Sequence, residues 1–187
     1  MTGLGTAMAG GKASGARQDL DWYPTPDDVT RALLIADGRH MPYSIWEPAC
    51  GDGAMAEVLR GWGHDVFATD IVDRGYSGQR ATADFFAVKT PMAHGLITNP
   101  PFSLAHQWIQ HALALCPGYV ALLTKSTFWH AGRRADLFES HPPAAVYPLL
   151  WRPDFLRLGA PTMEAAWNVW RPHDGETIYR PLRRPAR

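Results

Sequence analysis

The order of signals along the chain predicts an α/β fold: a mostly parallel sheet with helices on both faces and an antiparallel last strand. Three observations predict it. Short β-prone runs alternate with helical patterns through most of the 187 residues, which calls for parallel strands joined by crossover helices. The run "YVALLTK" is continuous and β-prone, as suits a strand covered on both faces. Two glycines, Gly51 and Gly53, stand where an apolar run gives way to a helical pattern.

Each element follows from its residues. In "TPDDVTRALLIADG", Thr25 is a capping residue and Pro26 suits a first turn. Val29, Leu33 and Leu34 make the apolar face, and Gly38 stops the helix. "YSIWEPA" is a short strand and "GAMAEVLRGWG" a helix ending at Gly61 or Gly63. "HDVFATD", "RATADFF" and "HGLITN" are the next three strands, the middle one weaker. "SLAHQWIQHALALCPG" is a helix with Leu104, Trp108, Ile109 and Leu113 on one stripe. "YVALLTK" is the fifth strand and "AGRRADLFESH" a further helix. "AAVYPLLW" and "AAWNVW" close the sheet as a hairpin around an irregular loop, Arg152 to Met163, which brings the strands to seven. Trp167 and Trp170, three apart, face opposite sides of the last strand. Right-handed crossovers then put the carboxyl ends of the parallel strands on one rim, where ligands bind.

Composition narrows the function. Forty-six per cent hydrophobic residues suffice for one core. We divide the chain into a flexible Gly/Ala-rich stretch (1–18), one folded domain (19–172) and a basic tail (173–187). Arg180, Arg183, Arg184 and Arg187 in that tail read as a solvated end. The only cysteines, Cys50 and Cys116, make no disulfide framework, which points to a reducing, cytoplasmic setting. The eight histidines are scattered without ligand spacing, so no metal is expected. No apolar run approaches bilayer length, and the start lacks the regions of a signal peptide, so no membrane association is expected. A formal net charge of zero argues against polyanion binding by the whole surface but allows a local basic face.

Four stretches carry chemistry. "WEPACGDGAM" turns strand into helix at Gly51 and Gly53. It matches neither a dinucleotide fingerprint nor a phosphate loop, and Glu47 and Asp52 suit a ligand with positive charge. Asp70 ends "DVFATD" about twenty residues later, where such sheets hold a ribose diol. Asp84 in "ADFF" is placed to accept from an adenine amino group, with Phe85 packing on the ring and Phe86 in the core. Last is Asn99-Pro100-Pro101-Phe102, after the fourth strand. Two prolines stiffen the backbone and remove both N–H donors. The Asn99 amide oxygen and the Pro100 carbonyl can then aim at one exocyclic amine. Phe102 would give an extruded base a stacking face, worth roughly 1–3 kcal/mol.

In this order and spacing the stretches resemble the S-adenosylmethionine-dependent amino-methyltransferases, most of all the small phage and bacterial DNA adenine-N6 methyltransferases. The likeness runs from about Trp22 to Trp170. It implies a Rossmann-like sheet of seven strands and S-adenosylmethionine as cofactor. "YPTP" is similar to the family's amino-terminal cofactor motif, which assigns Tyr23, Thr25 and Pro26 to the methionine end. "EPACGDG" is similar to its glycine-rich motif, with Glu47 in place of the commoner Asp, and assigns Glu47, Ala49, Gly51 and Gly53 to the methionyl moiety. Asp70, with Ile71 beside it, takes the ribose position and Asp84-Phe85 the adenine position. Asn99, Pro100, Pro101 and Phe102 take the catalytic one. Cys50 is a loop residue in this reading, not a nucleophile.

The resemblance implies direct methyl transfer to a flipped adenine in DNA. Rim loops would meet the nucleic acid through Lys125, Trp129, Arg133, Arg134 and Arg157. About forty-five residues separate the glycine turn from the tetrad, too few for a separate target-recognition domain. Recognition then comes from the rim loops, is loose, or is supplied by a partner protein. Adenine in RNA, cytosine N4 and a protein glutamine amide are competing substrates for the same tetrad. A module that binds the cofactor without turnover is the non-enzymatic alternative.

Overall fold

The computed structural model describes residues 22–116 and 118–186; the stretch 1–18 and Arg187 lie outside them. The α-helices are α1 (Asp27–Asp37), α2 (Ala54–Gly61), α3 (Ala105–Leu115) and α4 (Ala135–Ser140). The strands are β1 (Ser44–Glu47), β2 (Asp65–Asp70), β3 (Gln79–Thr82), β4 (Gly95–Thr98), β5 (Val120–Lys125), β6 (Ala145–Pro148), β7 (Ala165–Trp170) and β8 (Ile178–Tyr179). They form one sheet in the order β3-β2-β1-β4-β5-β7-β6-β8. β1 to β5 run parallel to one another. β7 lies antiparallel between β5 and β6.

The strand sequence sorts side chains onto two cores because alternate residues point to opposite faces. Ile45, Ile97, Ala121 and Leu123 pack with Val29 and Leu33 of α1 and Leu59 of α2. Their neighbours Trp46, Leu96, Val120 and Leu122 pack with Trp108 and Ile109 of α3 and Leu137 of α4. Trp167 and Trp170 fall on opposite faces, as their spacing predicts. Trp167 donates to the Val29 carbonyl at 3.1 Å and Trp170 to that of His141 at 2.9 Å. The connections run one way from β1 to β2 and the other way to β4, so the sheet has its switch point between β1 and β4. That is where a ligand crevice opens in such sheets.

Three local expectations are revised. Thr25 does not cap α1; Pro26 holds the cap position without a side-chain bond, and the Thr25 hydroxyl is engaged elsewhere. The buried stripe of α3 runs through Ala105, Trp108, Ile109, Ala112 and Leu115. Leu104 sits in a preceding 3₁₀ turn and is exposed. The tail is tethered rather than free, although its described arginines stay exposed: β8 pairs in parallel with β6 as an eighth strand, and Leu182 is buried. Arg180 donates to the Ala36 carbonyl at 2.6 Å and Arg184 pairs with Asp28, so two tail arginines grip α1.

Asp37 closes the opposite end of α1. Its carboxylate, fully buried, accepts from the hydroxyls of Tyr119 (3.0 Å) and Tyr147 (2.8 Å) and from Arg171. Burial and the carboxylate push Tyr119 well above its usual pKa, and burial raises Tyr147 to about 12, so both hydroxyls stay donors. Removing one member of a buried charged network leaves the others unpaired. Asp37→Ala is therefore expected to cost about 3–5 kcal/mol of unfolding free energy, measured by urea denaturation. An unchanged midpoint would show that water replaces the carboxylate.

Candidate active site

The rim at the β1–β4 switch holds a cleft of about 660 Å³. Its floor is made by the strand ends. Glu47 ends β1, Asp70 ends β2 and Asn99 follows β4. Tyr23, Thr25, Ala49, Ile71, Asp84, Phe85 and Pro101 also line it. Pro26, Gly51, Gly53, Pro100 and Phe102 do not contribute to its wall.

Gly51 and Gly53 act by shape. Both have positive φ, +54° and +86°, which L side chains rarely adopt. A Cβ at Gly51 would run into the Trp22 indole, and one at Gly53 into the Tyr76 ring. The turn is pinned by Asp70, whose carboxylate accepts from Gly51 N at 2.9 Å and Val72 N at 3.0 Å. Asp70 thus organises the glycine turn as well as facing the cleft.

Glu47 is a buried acid 2% exposed, and its Oε2 has no hydrogen-bond partner. Burial, then the nearby Asp70 carboxylate, push its pKa well above the usual 4.5. Burial also pushes the Cys50 thiol up to about 12, which leaves it an inert thiol. Asp84 caps the 3₁₀ turn Phe85–Ala87 through Phe86 N at 3.0 Å. Phe85 is the core residue here, buried and stacked on Trp108 with centroids 4.1 Å apart. Phe86, expected in the core, is half-buried, and both rings line the cleft.

The tetrad is held by one amide. Asn99 Nδ2 donates to the Tyr23 carbonyl and to Thr25 Oγ1, both at 3.1 Å. The carbonyl can only accept, which fixes which amide atom is nitrogen. Asn99 Oδ1 has no partner among the described residues and is shielded from water. No backbone donor among them reaches the Pro100 carbonyl, whereas that of Pro101 accepts from Leu104 N. Phe102 packs against Tyr23 and Phe155, at 5.8 and 6.1 Å between centroids.

The five rim residues separate. Lys125 is exposed, its Nζ 5.3 Å from the Phe102 ring centre. Arg133 and Arg157 are exposed. Arg134 folds back, donating to the Phe128 carbonyl with its guanidinium over the Phe128 ring, so it is spent inside the loop. Trp129 stacks on Phe138 at 4.0 Å, which covers one of its faces. Sequence reasoning missed Trp22, Arg74 and Phe155. Arg74 lies over the Trp22 ring at 4.5 Å and, like Trp22, lines the cleft. Nothing in its local sequence marks it, and Phe155 is one of several apolar residues in its loop. Among the described residues no cluster of His, Cys, Asp or Glu could hold a metal. No helix there is long and apolar enough to cross a membrane.

Comparison with solved structures assigns the architecture. A candidate RNA methyltransferase from Pyrococcus horikoshii superposes with a TM-score of 0.66 at 12% identity, over 80% of this chain and 86% of that one. A type I restriction-modification methyltransferase subunit from Streptococcus thermophilus gives 0.67 at 13%, over 85% of this chain and 47% of the subunit. The fold is that of the S-adenosylmethionine-dependent methyltransferases. Magnesium protoporphyrin IX methyltransferase from Synechocystis PCC 6803, solved with the cofactor bound, gives 0.55 at 17%, over 78% of each chain. No family model matches the sequence, and no curated protein does. The names of these structural neighbours span RNA, restriction-modification and a porphyrin, so substrate has to be argued from the site.

The raised Glu47 has a stability consequence. The unfolded chain ionises near pH 4.5 and the folded chain at a higher pH. Between the two the folded state binds more protons, so stability falls as pH rises through that window. Glu47→Gln is expected to match wild type below pH 4.5 and to melt at a higher temperature than wild type at pH 8, read by thermal scans without added ligand. Equal melting at pH 8 would mean that the carboxylate ionises at no cost.

Proposed function

We propose that this chain is an S-adenosylmethionine-dependent methyltransferase that modifies the exocyclic N6 amine of adenine in DNA, by direct transfer to a flipped base. The observation that carries this reading is the orientation of Asn99. Its amide nitrogen is engaged twice, and its oxygen is left sheltered and unpaired at the end of β4. A buried acceptor without a donor costs roughly 1–3 kcal/mol, which an entering N–H group relieves.

The cleft suits the cofactor. Glu47, with an unpartnered carboxyl oxygen, and Asp52 would face its positive charge. Asp70 and Ile71 would hold the ribose, and Asp84 the adenine amine, with Phe86 against the ring. When bound, S-adenosylmethionine supplies a methyl group already activated by a positively charged sulfur. The protein's share is alignment and exclusion of water. Asn99 Oδ1 and the Pro100 carbonyl take the two hydrogens of the amine and leave the nitrogen lone pair free to attack; the surplus proton then leaves to water. The high pKa of the Cys50 thiol argues against ring-carbon methylation through a covalent adduct.

The exposed cations Lys125 and Arg157, which make no ion pair among the described residues, suit a nucleic-acid backbone, and the choice of DNA leans on the restriction-modification subunit that shares the fold. This chain spans about half of that subunit. The test is incubation with isotopically labelled cofactor and unmethylated DNA or RNA, followed by nucleoside mass spectrometry. Labelled N6-methyladenine from DNA is expected. Label in RNA adenine, cytosine N4 or a glutamine side chain would move the substrate and keep the amine chemistry. Asn99→Ala should lower turnover by about 10²–10³-fold, with cofactor affinity measured by calorimetry preserved. A variant that still turns over like wild type would remove Asn99 from the mechanism.

A further inference from the structure

We propose that the turn Asp154–Gly159 is a wedge that enters duplex DNA beside the extruded base, with Leu158 filling the vacated stack. The inference rests on the adenine reading above and adds to it the element that opens the duplex.

The turn is built to project apolar side chains. The Asp154 carboxylate accepts from Leu158 N at 3.1 Å and Gly159 N at 2.7 Å, and its carbonyl accepts from Arg157 N at 3.2 Å. Arg157 has a φ of +55°, the only positive value at a non-glycine position among the described residues. Such backbone is uncommon for a residue with a Cβ and persists only when its surroundings impose it. One exposed leucine needs no explanation. Here Leu156 and Leu158 share a six-residue turn, 37% and 74% exposed, and Leu158 is the most exposed large apolar side chain described.

The base of the turn is joined to the catalytic tetrad. Phe155 is buried and packs on Tyr23 and Phe102, 6.2 and 6.1 Å between centroids. Arg157 lines a second cleft with Asp52 and Gly53 of the glycine turn and with residues of α1 and α2, Asp27 and Glu57 among them. No residue of the turn lines the cofactor cleft itself; Phe155 seats the base of the turn against the tetrad. Arg157 makes no ion pair among the described residues, and Lys125 lies over Phe102 on the same rim. Apolar tips flanked by cations are what proteins insert between base steps, where they offset the unstacking that base extrusion requires.

The test compares one unmethylated DNA in duplex form and after heat denaturation, with labelled cofactor, for wild type, Leu158→Ser and Leu156→Ser/Leu158→Ser. Both leucines are solvent-exposed, and thermal melting checks that the variants fold. Expected is a fall of at least about tenfold in duplex methylation for the double variant, because unstacking is then unassisted. Denatured DNA, already unstacked, should be methylated at the wild-type rate, and Leu158→Met should restore the duplex rate. Equal loss on both DNAs, or no loss on the duplex, overturns the wedge while leaving the adenine reading intact. Failure of wild type to methylate either DNA overturns both.

Discussion

The orientation of one amide governs the site. Asn99 could present either its nitrogen or its oxygen to the cleft, and the sequence of the tetrad does not decide which. The Tyr23 carbonyl decides it, because it has no proton to give. Thr25 adds its hydroxyl as a second acceptor and in doing so is lost as a helix cap. A local rule of helix construction is broken at the place where the pocket needs it broken. Local rules yield in this way at functional sites.

The same helix carries the constraint to the far side of the sheet. α1 begins beside Asn99 at the carboxyl rim and ends at Asp37. That residue is held by Tyr119 just before β5, by Tyr147 in β6 and by Arg171 just after β7. Eleven residues at 1.5 Å each make a strut of roughly 16 Å, bonded at both ends. Trp167 adds a bond to its first turn, and Arg180 and Arg184 of the carboxyl-terminal segment add two more. Tyr23 and Thr25 are thus placed by packing across the whole sheet, although they lie in a short irregular stretch.

Much of this was legible in the residues. The alternation of strands and helices, the antiparallel closing strand and the two-sided placement of Trp167 and Trp170 follow from period-two and period-3.6 patterns. What was not legible depends on partners distant in sequence. β8 is two exposed residues bounded by polar and proline-rich chain, with no apolar alternation to mark it; it exists because β6 offers an open edge and Leu182 finds a buried place. Arg134 looked like a phosphate contact because charge patterns cannot show a guanidinium folded over Phe128. Phe85 and Phe86 are neighbours of one kind, and only the position of Trp108 on α3 decides which is core.

Charge is distributed so that the neutral total conceals a division of labour. Glu47, Asp52, Asp70 and Asp84 gather in the cleft, where, among the described residues, Arg74 is the one arginine or lysine in the wall and is occupied with Trp22. Lys125 and Arg157 stand outside, on the rim. Acid in the crevice suits a cationic cofactor and repels a phosphate backbone; cations on the rim attract that backbone. At physiological salt, fields from exposed charges fade within about 8 Å. The two sets can therefore act on different ligands a short distance apart. The burial that raises Glu47 strengthens this sorting. In the proposed reading, a carboxyl group whose burial disfavours its charge gains from a positively charged ligand beside it.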